Sequence, residues 1–416
     1  MSNQVDFISR NFKMYNPSSF EEYMKIDGFK ALEKALKTEK DEVIDQVVKS
    51  GLMGRGGAAY PTGKKLSQAS KFEADIKYVI CNADEGEPAT FKDKFIIEND
   101  IYSLLEGMVI SSYTVNSAKG YIYLREEYRR FLPYMQNAID NMRDNGYLGE
   151  NIKNSGHSFD IEMFLGAGAY ICGEGTALIE SIEGKTGKPR TKPPYTKQNG
   201  LFYKPTLLIN VETLTAIKGI MRDGYGEFTK YGTEKSPGTK LVSLSGNIVK
   251  PGVYEVPFGT TAREIIYGMG GGIKNNNKFN FLQLGGNPGP VLKEDFLDVP
   301  ITYENLDEMD ISLGSGAILV VDDTYSVLDF IEAVQNFFVH ESCGKCTPCR
   351  RGNTILMDII QKMKNGKATQ DDIDRIMSTG ELMKITSSCG LGKTAAIPIM
   401  SVVNNFKDEI NELIQE

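Results

Sequence analysis

The chain of 416 residues contains no tryptophan and only two histidines. His157 and His340 are too few and too far apart to make a histidine metal site, so each reads as an ordinary polar residue unless its neighbours give it work. No stretch reaches the ~18 apolar residues that a membrane span requires, and the opening MSNQVDFISR lacks the basic and apolar blocks of a signal peptide. A soluble, cytoplasmic protein is therefore expected. Positive charge is short as well: 47 Lys and Arg against 55 Asp and Glu leave a net charge of -8, a poor balance for binding nucleic acid. Internal repeats and low-complexity linkers are absent. Apolar residues at 41% and charged residues at 25% exclude wholesale disorder, and the length suggests two or three domains. Six cysteines in a cytoplasmic chain point to metal ligands or buried thiols rather than to disulfides.

Glycine is what the chain has in surplus, 42 residues, and surplus glycine suggests places where backbone approaches a ligand closely. Residues 17–50 carry apolar positions three and four apart, which predicts helix up to a stop at Gly51. KYVIC (77–81) predicts a buried strand running into the polar loop Asn82 to Pro88, and helix is expected near 95–113. KGYIYL (119–124), a helix over 126–142 and FDIEMFLG (159–166) continue an alternation that predicts an α/β domain. From Lys240 the texture changes to short alternating strands around a Pro251-Gly252 turn, with a brief helix at 262–269. That β-rich module is expected to end near GAILVVDD (316–323). Beyond Tyr325 the pattern is helical, with Val327, Phe330, Ile331, Val334, Phe337 and Phe338 on one face.

Cys343, Cys346 and Cys349 follow one another at three-residue spacing, and Cys389 stands alone in SSCG. Zinc usually takes cysteines as pairs from two knuckles, so a third at the same spacing fits it awkwardly. A 4Fe-4S cubane takes three consecutive thiolates and a remote fourth readily. Structural zinc and free thiols are the alternatives. Cys81 and Cys172 lie in apolar settings and read as buried small hydrophobes.

Two glycine loops stand out. The first, GRGGAAYPTGKK (54–65), contains a G-x-G-x-x-A string, but a helix rather than a strand precedes it, so the dinucleotide fingerprint is not met strictly. Its glycines still permit backbone N–H groups to reach a phosphate, and Arg55, Lys64 and Lys65 supply positive charge. The second, GAGAYICGEGT (166–176), leads into a helix and is followed by Lys185, Lys188, Arg190 and Lys192 among three prolines. Two such loops, an acidic loop and a cysteine cluster in one chain point to an anionic nucleotide partner.

These strings together with CNADEGEPATFKDK, KPPY, INVETL, ESCGKCTPCRRG and SSCGLG resemble the flavin-bearing, NADH-oxidising 51-kDa subunit of respiratory complex I over residues 50–400. Related diaphorase subunits of NAD(P)-linked hydrogenases and formate dehydrogenases share them. The resemblance implies a Rossmann-like FMN domain with the N-terminal helices (1–235), a ubiquitin-like β-grasp module (236–323) and a helical 4Fe-4S domain (324–416). It implies that FMN is lined by Gly54, Gly56, Lys65, Asn82, Asp84, Glu85, Tyr170, Gly173, Glu174 and Asn210. The nicotinamide dinucleotide would meet Gly57, Tyr60, Lys65, Glu87, Gly175, Lys192 and Tyr195, with the Tyr195 ring on adenine. Glu85 and Glu87 would place negative charge beside the two redox rings, and Cys343, Cys346, Cys349 and Cys389 would bind the cluster. The implied partners are a thioredoxin-like 2Fe-2S subunit, a larger iron-sulfur or hydrogenase or dehydrogenase subunit, and ferredoxin. A bifurcating assembly is one option and a complex I assembly feeding quinone another. A colourless zinc-binding scaffold is the reading of a different class.

Four positions depart from the family pattern. Gly175 replaces a second glutamate, Ile209 replaces the first of two asparagines, Gln68 replaces an aromatic residue and Ala59 replaces a glycine. A carboxylate beside the adenosine ribose bonds a 2′-hydroxyl and repels a 2′-phosphate, so Gly175 predicts acceptance of NADP(H), with Lys185, Lys188 or Lys192 near the extra phosphate.

Overall fold

The computed structural model of the protein describes residues 5–414. The helical pattern over 17–50 folds as α1 (Phe20–Lys25), α2 (Lys30–Leu36) and α3 (Lys40–Lys49). One helix becomes several because Asp27 and Phe29 take left-handed backbone and Gly28 packs on Tyr23, where a Cβ would lie 2.4 Å from the Tyr23 carbonyl oxygen. After α4 (Thr62–Ser70) comes β1 (Tyr78–Ala83), then α5 (Lys92–Asn99) and α6 (Ile101–Val115). Asp100 caps α6 through the Ser103 N–H and so divides the helix expected near 95–113. Next are β2 (Lys119–Leu124), a 3-10 turn at Glu126–Phe131, α7 (Leu132–Asp144), β3 (Asp160–Leu165) and α8 (Gly175–Ile182). The strand β4 (Thr206–Asn210) and helix α9 (Val211–Asp223) follow the proline-rich segment, and a short α10 (Tyr225–Phe228) closes the unit.

β1 to β4 form one parallel sheet in the order β3-β2-β1-β4. Both faces are buried, as parallel sheets require: Val79, Cys81 and Ala83 join the core under the N-terminal helices, while Tyr78 and Ile80 join a second core. The order reverses between β1 and β4, and a crevice outside the carboxyl ends of those two strands is where such folds bind ligands.

The second sheet runs β6-β5-β9-β7-β8, built from β5 (Thr239–Gly246), β6 (Gly252–Pro257), β7 (Phe279–Leu284), β8 (Val291–Leu292) and β9 (Ala317–Asp322). β5 and β6 make the hairpin expected around Pro251, and β5 pairs parallel with β9. The brief helix is largely a π-helix at Glu264–Met269, closed by Gly270 N–H donating to the Ile265 carbonyl at 2.8 Å. A small helix α11 (Tyr303–Glu308) precedes β9. The chain ends in helices α12 (Val327–Glu341), α13 (Thr347–Lys364), α14 (Gln370–Thr386), α15 (Gly390–Thr394), α16 (Ile397–Asn405) and α17 (Lys407–Asn411). Their core is continuous with one face of the first sheet: Tyr78, Ile80, Tyr121 and Tyr123 share it with Ile331, Val334 and Phe338. No helix among the described residues is long and apolar enough to cross a membrane.

Candidate functional site

The crevice between β1 and β4 opens into a cavity of about 720 Å³. Asn82 and Asn210, register partners at the ends of the two strands, both line it. The first glycine loop contributes Gly54, Gly56, Gly57 and Tyr60, and α4 contributes Lys65. The loop after β1 adds Asp84, Glu85 and Glu87; the second glycine loop adds Tyr170, Gly173, Glu174 and Gly175. Lys192 and Tyr195 come from the proline-rich segment. Every residue that the resemblance assigns to flavin or nucleotide therefore lines one cavity.

The glycines are where the walls come closest. A Cβ on Gly56 would stand 3.1 Å from the Asn210 Cβ, and one on Gly173 would stand 3.3 Å from the Asp84 carbonyl oxygen. Asn82 is fixed by donating to the Gly173 carbonyl at 2.9 Å and accepting from Asp84 N–H at 3.1 Å. Asp84 is pushed up to about 7 by burial, and its Oδ2 has no hydrogen-bond partner. Glu87 is likewise pushed up to about 7 by burial; it accepts from the Tyr170 hydroxyl at 2.6 Å and from Asn287 N–H at 2.8 Å.

Glu85 lies differently from the expectation. Its carboxylate accepts the N–H groups of Asp93 at 2.9 Å and Lys94 at 3.0 Å, and the Tyr128 hydroxyl at 3.0 Å. Those bonds turn it to the first turn of α5, so Glu85 ties the acidic loop to a helix instead of presenting a free charge. Arg55 is also redirected: it is buried, donating to the Tyr303 hydroxyl and the Thr239 carbonyl at 2.8 Å each, and thus joins the glycine loop to the second sheet.

The cationic side of the cavity is Lys65 with Lys192 and Lys197 near it. Burial, Lys192 and Lys197 bring Lys65 down to about 8, and its ammonium donates to the Leu208 carbonyl at 2.5 Å. Lys192 pairs with Glu174 at 2.7 Å, and Glu174 caps α8 by accepting from Thr176 and Ala177 N–H. Lys64 is exposed, and Lys64, Lys185 and Lys188 do not line the cavity. Lys185 instead pairs with Glu183. Tyr60 and Tyr195 are exposed rings, 40% and 51%. Gln68 lies outside the lining and bonds the Tyr60 hydroxyl at 3.0 Å.

Sequence reasoning missed three contributions. Lys92 and Asp93 line the cavity although the resemblance assigns neither to flavin or nucleotide; Gly285, Pro288, Gly289, Pro290, Ser312, Gly314 and Ser315 reach it from the second sheet; Gly390, Leu391, Thr394 and Ile397 reach it from the helical end. The string GGNPGP was the available signal for the second of these, and the adjacency of Gly390 to Cys389 for the third.

The four cysteines meet at two helix starts, Cys346 capping α13 and Cys389 capping α15. Burial pushes the Cys349 thiol up to about 11, with Cys346, Cys389 and Cys343 adding to the rise. Burial would raise Cys346 too, but N–H groups of Ser388 and Cys349 donate to it and hold it below its usual value. Ser342 Oγ and Asn353 Nδ2 stand 3.3 Å and 3.4 Å from Cys349 Sγ. Among the described residues no three His, Cys, Asp or Glu close around a point as ligands of one ion do. A cubane needs its thiolates further apart, one at each iron corner. Cys81 and Cys172 are buried and free. His157 is buried on Ser112 and brought down to about 4 by burial, and His340 is an exposed residue at the end of α12.

Residues 47–219 match the Nuo51 FMN-binding domain, and residues 329–413 match the NADH-ubiquinone oxidoreductase-F iron-sulfur binding region. The chain is 42% identical over 97% of its length, and 93% of the relative's, to the F-type subunit of NADH-quinone oxidoreductase from Aquifex aeolicus. It is 43% identical over 98% of its length, and 83% of the relative's, to the HndC subunit of NADP-reducing hydrogenase from Solidesulfovibrio fructosivorans. The chain belongs to the NADH-quinone oxidoreductase-F family. A solved structure of NAD+-reducing NiFe hydrogenase in the H2-reduced state superposes with a TM-score of 0.85 at 32% identity; it covers 93% of this chain, which spans 65% of that one.

Members of the oxidoreductase-F family carry FMN and a 4Fe-4S cluster, and the residues here fit both. Glycine backbone, the unpartnered Asp84 oxygen and the half-buried Lys65 ammonium supply the mixed donors and charge that a flavin phosphate and ring need. Four convergent thiols with amide donors supply the cluster's ligands. The iron-sulfur match sets aside the zinc scaffold.

Proposed function

We propose that this chain is the NAD(P)H-oxidising or NAD(P)-reducing subunit of a multi-subunit cytoplasmic oxidoreductase of the soluble hydrogenase or formate dehydrogenase type, and that it accepts NADP(H). Bound FMN supplies the exchange of a hydride's two electrons for single ones, which the 4Fe-4S cluster carries. The chain's own residues position and exclude. Gly54, Gly56 and Gly57 keep side chains out of the slot where two rings must stack with reacting atoms ~3–3.5 Å apart. Lys65 holds phosphate, and the Tyr60 and Tyr195 rings take adenine. Glu87, held by Tyr170 and Asn287, places a carboxyl group beside the nicotinamide. The cysteine centre begins one residue from the cavity lining, at Cys389 and Gly390, which supports single-electron exit through the helical end. Partners of the expected kind, a thioredoxin-like 2Fe-2S subunit, a larger iron-sulfur subunit or ferredoxin, would receive electrons there or supply them.

The observation that carries the NADP reading is Gly175. It opens α8 in the cavity lining beside the Glu174–Lys192 pair, and a Cβ there would meet Leu208 at an ordinary 3.4 Å. A Cβ fits there, so Gly175 leaves that position without a carboxylate to repel a 2′-phosphate. The relative named for an NADP-reducing hydrogenase supports the same reading. Steady-state reduction of an artificial acceptor tests it. NADPH is expected to serve at least as well as NADH, and Gly175→Glu is expected to lower kcat/KM for NADPH at least about tenfold, the effect of ~1.4 kcal/mol, while sparing NADH. A wild type that uses NADH alone refutes it and favours the other reading, an NADH-oxidising component that passes electrons to quinone like the relative named for NADH-quinone oxidoreductase.

A further inference from the structure

In the wall of the cavity lies a buried set of charges that the reaction just described does not use. Lys92, Asp93, Glu212 and Lys240 are at most 3% exposed. Lys92 Nζ stands 2.6 Å from Asp93 Oδ1 and 3.1 Å from Glu212 Oε2, and Lys240 Nζ stands 2.5 Å from the same Glu212 oxygen. Burial alone would lower Lys92, but Asp93 and Glu212 outweigh it and hold the ammonium above its usual value. At Lys240 burial outweighs Glu212 and brings the amine down to about 7. Apolar residues of similar volume often pack such a place as stably or more so, and a buried Lys92–Asp93–Glu212 set there calls for a reason other than stability.

Asn210 supplies one. An amide offers two N–H groups and two lone pairs. Asn210 Oδ1 accepts Glu212 N–H at 3.0 Å as the cap of α9; a backbone N–H can only donate, which fixes the oxygen on the helix side. Nδ2 therefore lies opposite, and one of its hydrogens goes to Asp93 Oδ2 at 2.6 Å. The other is taken by no hydrogen bond among the described residues. Gly56 leaves room beside it: a Cβ there would be 3.8 Å from Nδ2. Asp93 thus divides its two oxygens, Oδ1 on Lys92 and Oδ2 on Asn210.

We propose that Asp93 is a positioning residue for FMN, holding one amide hydrogen of Asn210 so that the other is presented to an acceptor atom of the bound flavin. The proposal rests on the flavin reading above. Asp93→Asn tests it at constant volume: one carbonyl oxygen cannot serve both Lys92 and Asn210, and the new amino group meets a donor on either side.

The measurement is FMN affinity of the full chain, by quenching of flavin fluorescence, in wild type, D93N, N210A and the double variant, together with the flavin midpoint potential. D93N is expected to weaken FMN about tenfold, the scale of one lost charged hydrogen bond. On the N210A background it is expected to cost less than about twofold, because the effect passes through Asn210. The potential should move with D93N alone and not with D93N added to N210A. Equal losses on both backgrounds, or none on either, overturn the proposal and leave flavin binding standing. A wild type that takes up no flavin overturns the functional reading, and the proposal with it. N210A leaves the Lys92–Asp93 pair whole and carries the test if D93N does not fold: it must weaken FMN by a similar factor, and binding at the wild-type level overturns the proposal.

Discussion

At the scale of single residues, charge and room divide the labour of the cavity. Lys65 is the clearest case. Lys65 is half-buried with Lys192 and Lys197 near it, and burial and those two cations hold it at about 8 without an anion. A phosphate beside it favours the charged form and raises it. The free site is then partly deprotonated near pH 8 while the bound site is not, so binding takes up protons, and FMN affinity falls as pH rises through about 8. Calorimetry in buffers of different ionisation enthalpy should register that uptake. Lys65→Met is expected to abolish it and to weaken FMN roughly ten- to hundredfold, the range for a hydrogen bond to a charged group; unchanged uptake in the variant would assign the proton elsewhere. Residue types were legible here because close approach to a phosphate demands glycine and cation together. Side-chain direction was not. Glu85 and Arg55 sit in the right loops and point into the protein, to α5 and to the second sheet, and only tertiary structure decides which way a long side chain turns. Lys92 and Asp93 escaped because a charge run with apolar neighbours looks the same whether it is solvated or buried in pairs.

At the scale of elements, loops do the binding and helix starts do the aiming. Cys346 and Cys389 each occupy a cap position, so the free N–H groups of two first turns lie beside the thiolates and favour their charged form. The close fit there depends on Gly392 in α15. A Cβ at that position would lie 2.8 Å from the Ser387 Cβ and 2.9 Å from the Cys349 Cβ, neither of which is the free end of a flexible chain. Gly392→Ala must therefore push α15 off α13 and spread the ligands, at an overpacking cost of ~1–3 kcal/mol. Iron and sulfide per chain should drop in this variant while FMN content holds, and full cluster content would show that the helices adjust. Short apolar runs made β1, β2 and β3 readable from sequence, and alternation made the β5–β6 hairpin readable. β4 and α9 were not read, since a five-residue strand behind a stretch of proline and lysine carries little periodicity. The π-helix at Glu264–Met269 has the apolar pattern of an α-helix, and it ends at Gly270, where a Cβ would lie 2.6 Å from the Ile266 carbonyl oxygen.

At the scale of the whole molecule, the cavity belongs to all three parts of the chain. Glu87 reaches Asn287, 200 residues away, and Thr90 Oγ1 meets Ser315 Oγ at 2.5 Å. Glu212 on α9 holds Lys240 and Leu241 on β5. Tyr170 N–H donates to Glu341 at the end of α12, and Phe337 packs edge-on against the Tyr170 ring at 5.0 Å. Pairings of such long range leave no trace in a local pattern, which is why the sequence suggested three modules in a row and held no hint that the second and third close over the first. A ligand held by all three must stabilise all three. Flavin present at a hundred times its dissociation constant adds about 2.7 kcal/mol to whatever unfolds as a unit with its site. If the cavity contacts make the first and second sheets one unit, FMN should protect the amides of residues 285–290 and 312–315 from hydrogen exchange as strongly as those of residues 54–60. Protection confined to the glycine loop would mean that the second sheet opens independently of the flavin site. Glu87→Gln offers an internal control, because a neutral amide can still accept from Asn287 N–H and should preserve the shared protection, whereas Glu87→Ala should uncouple residues 285–290 first.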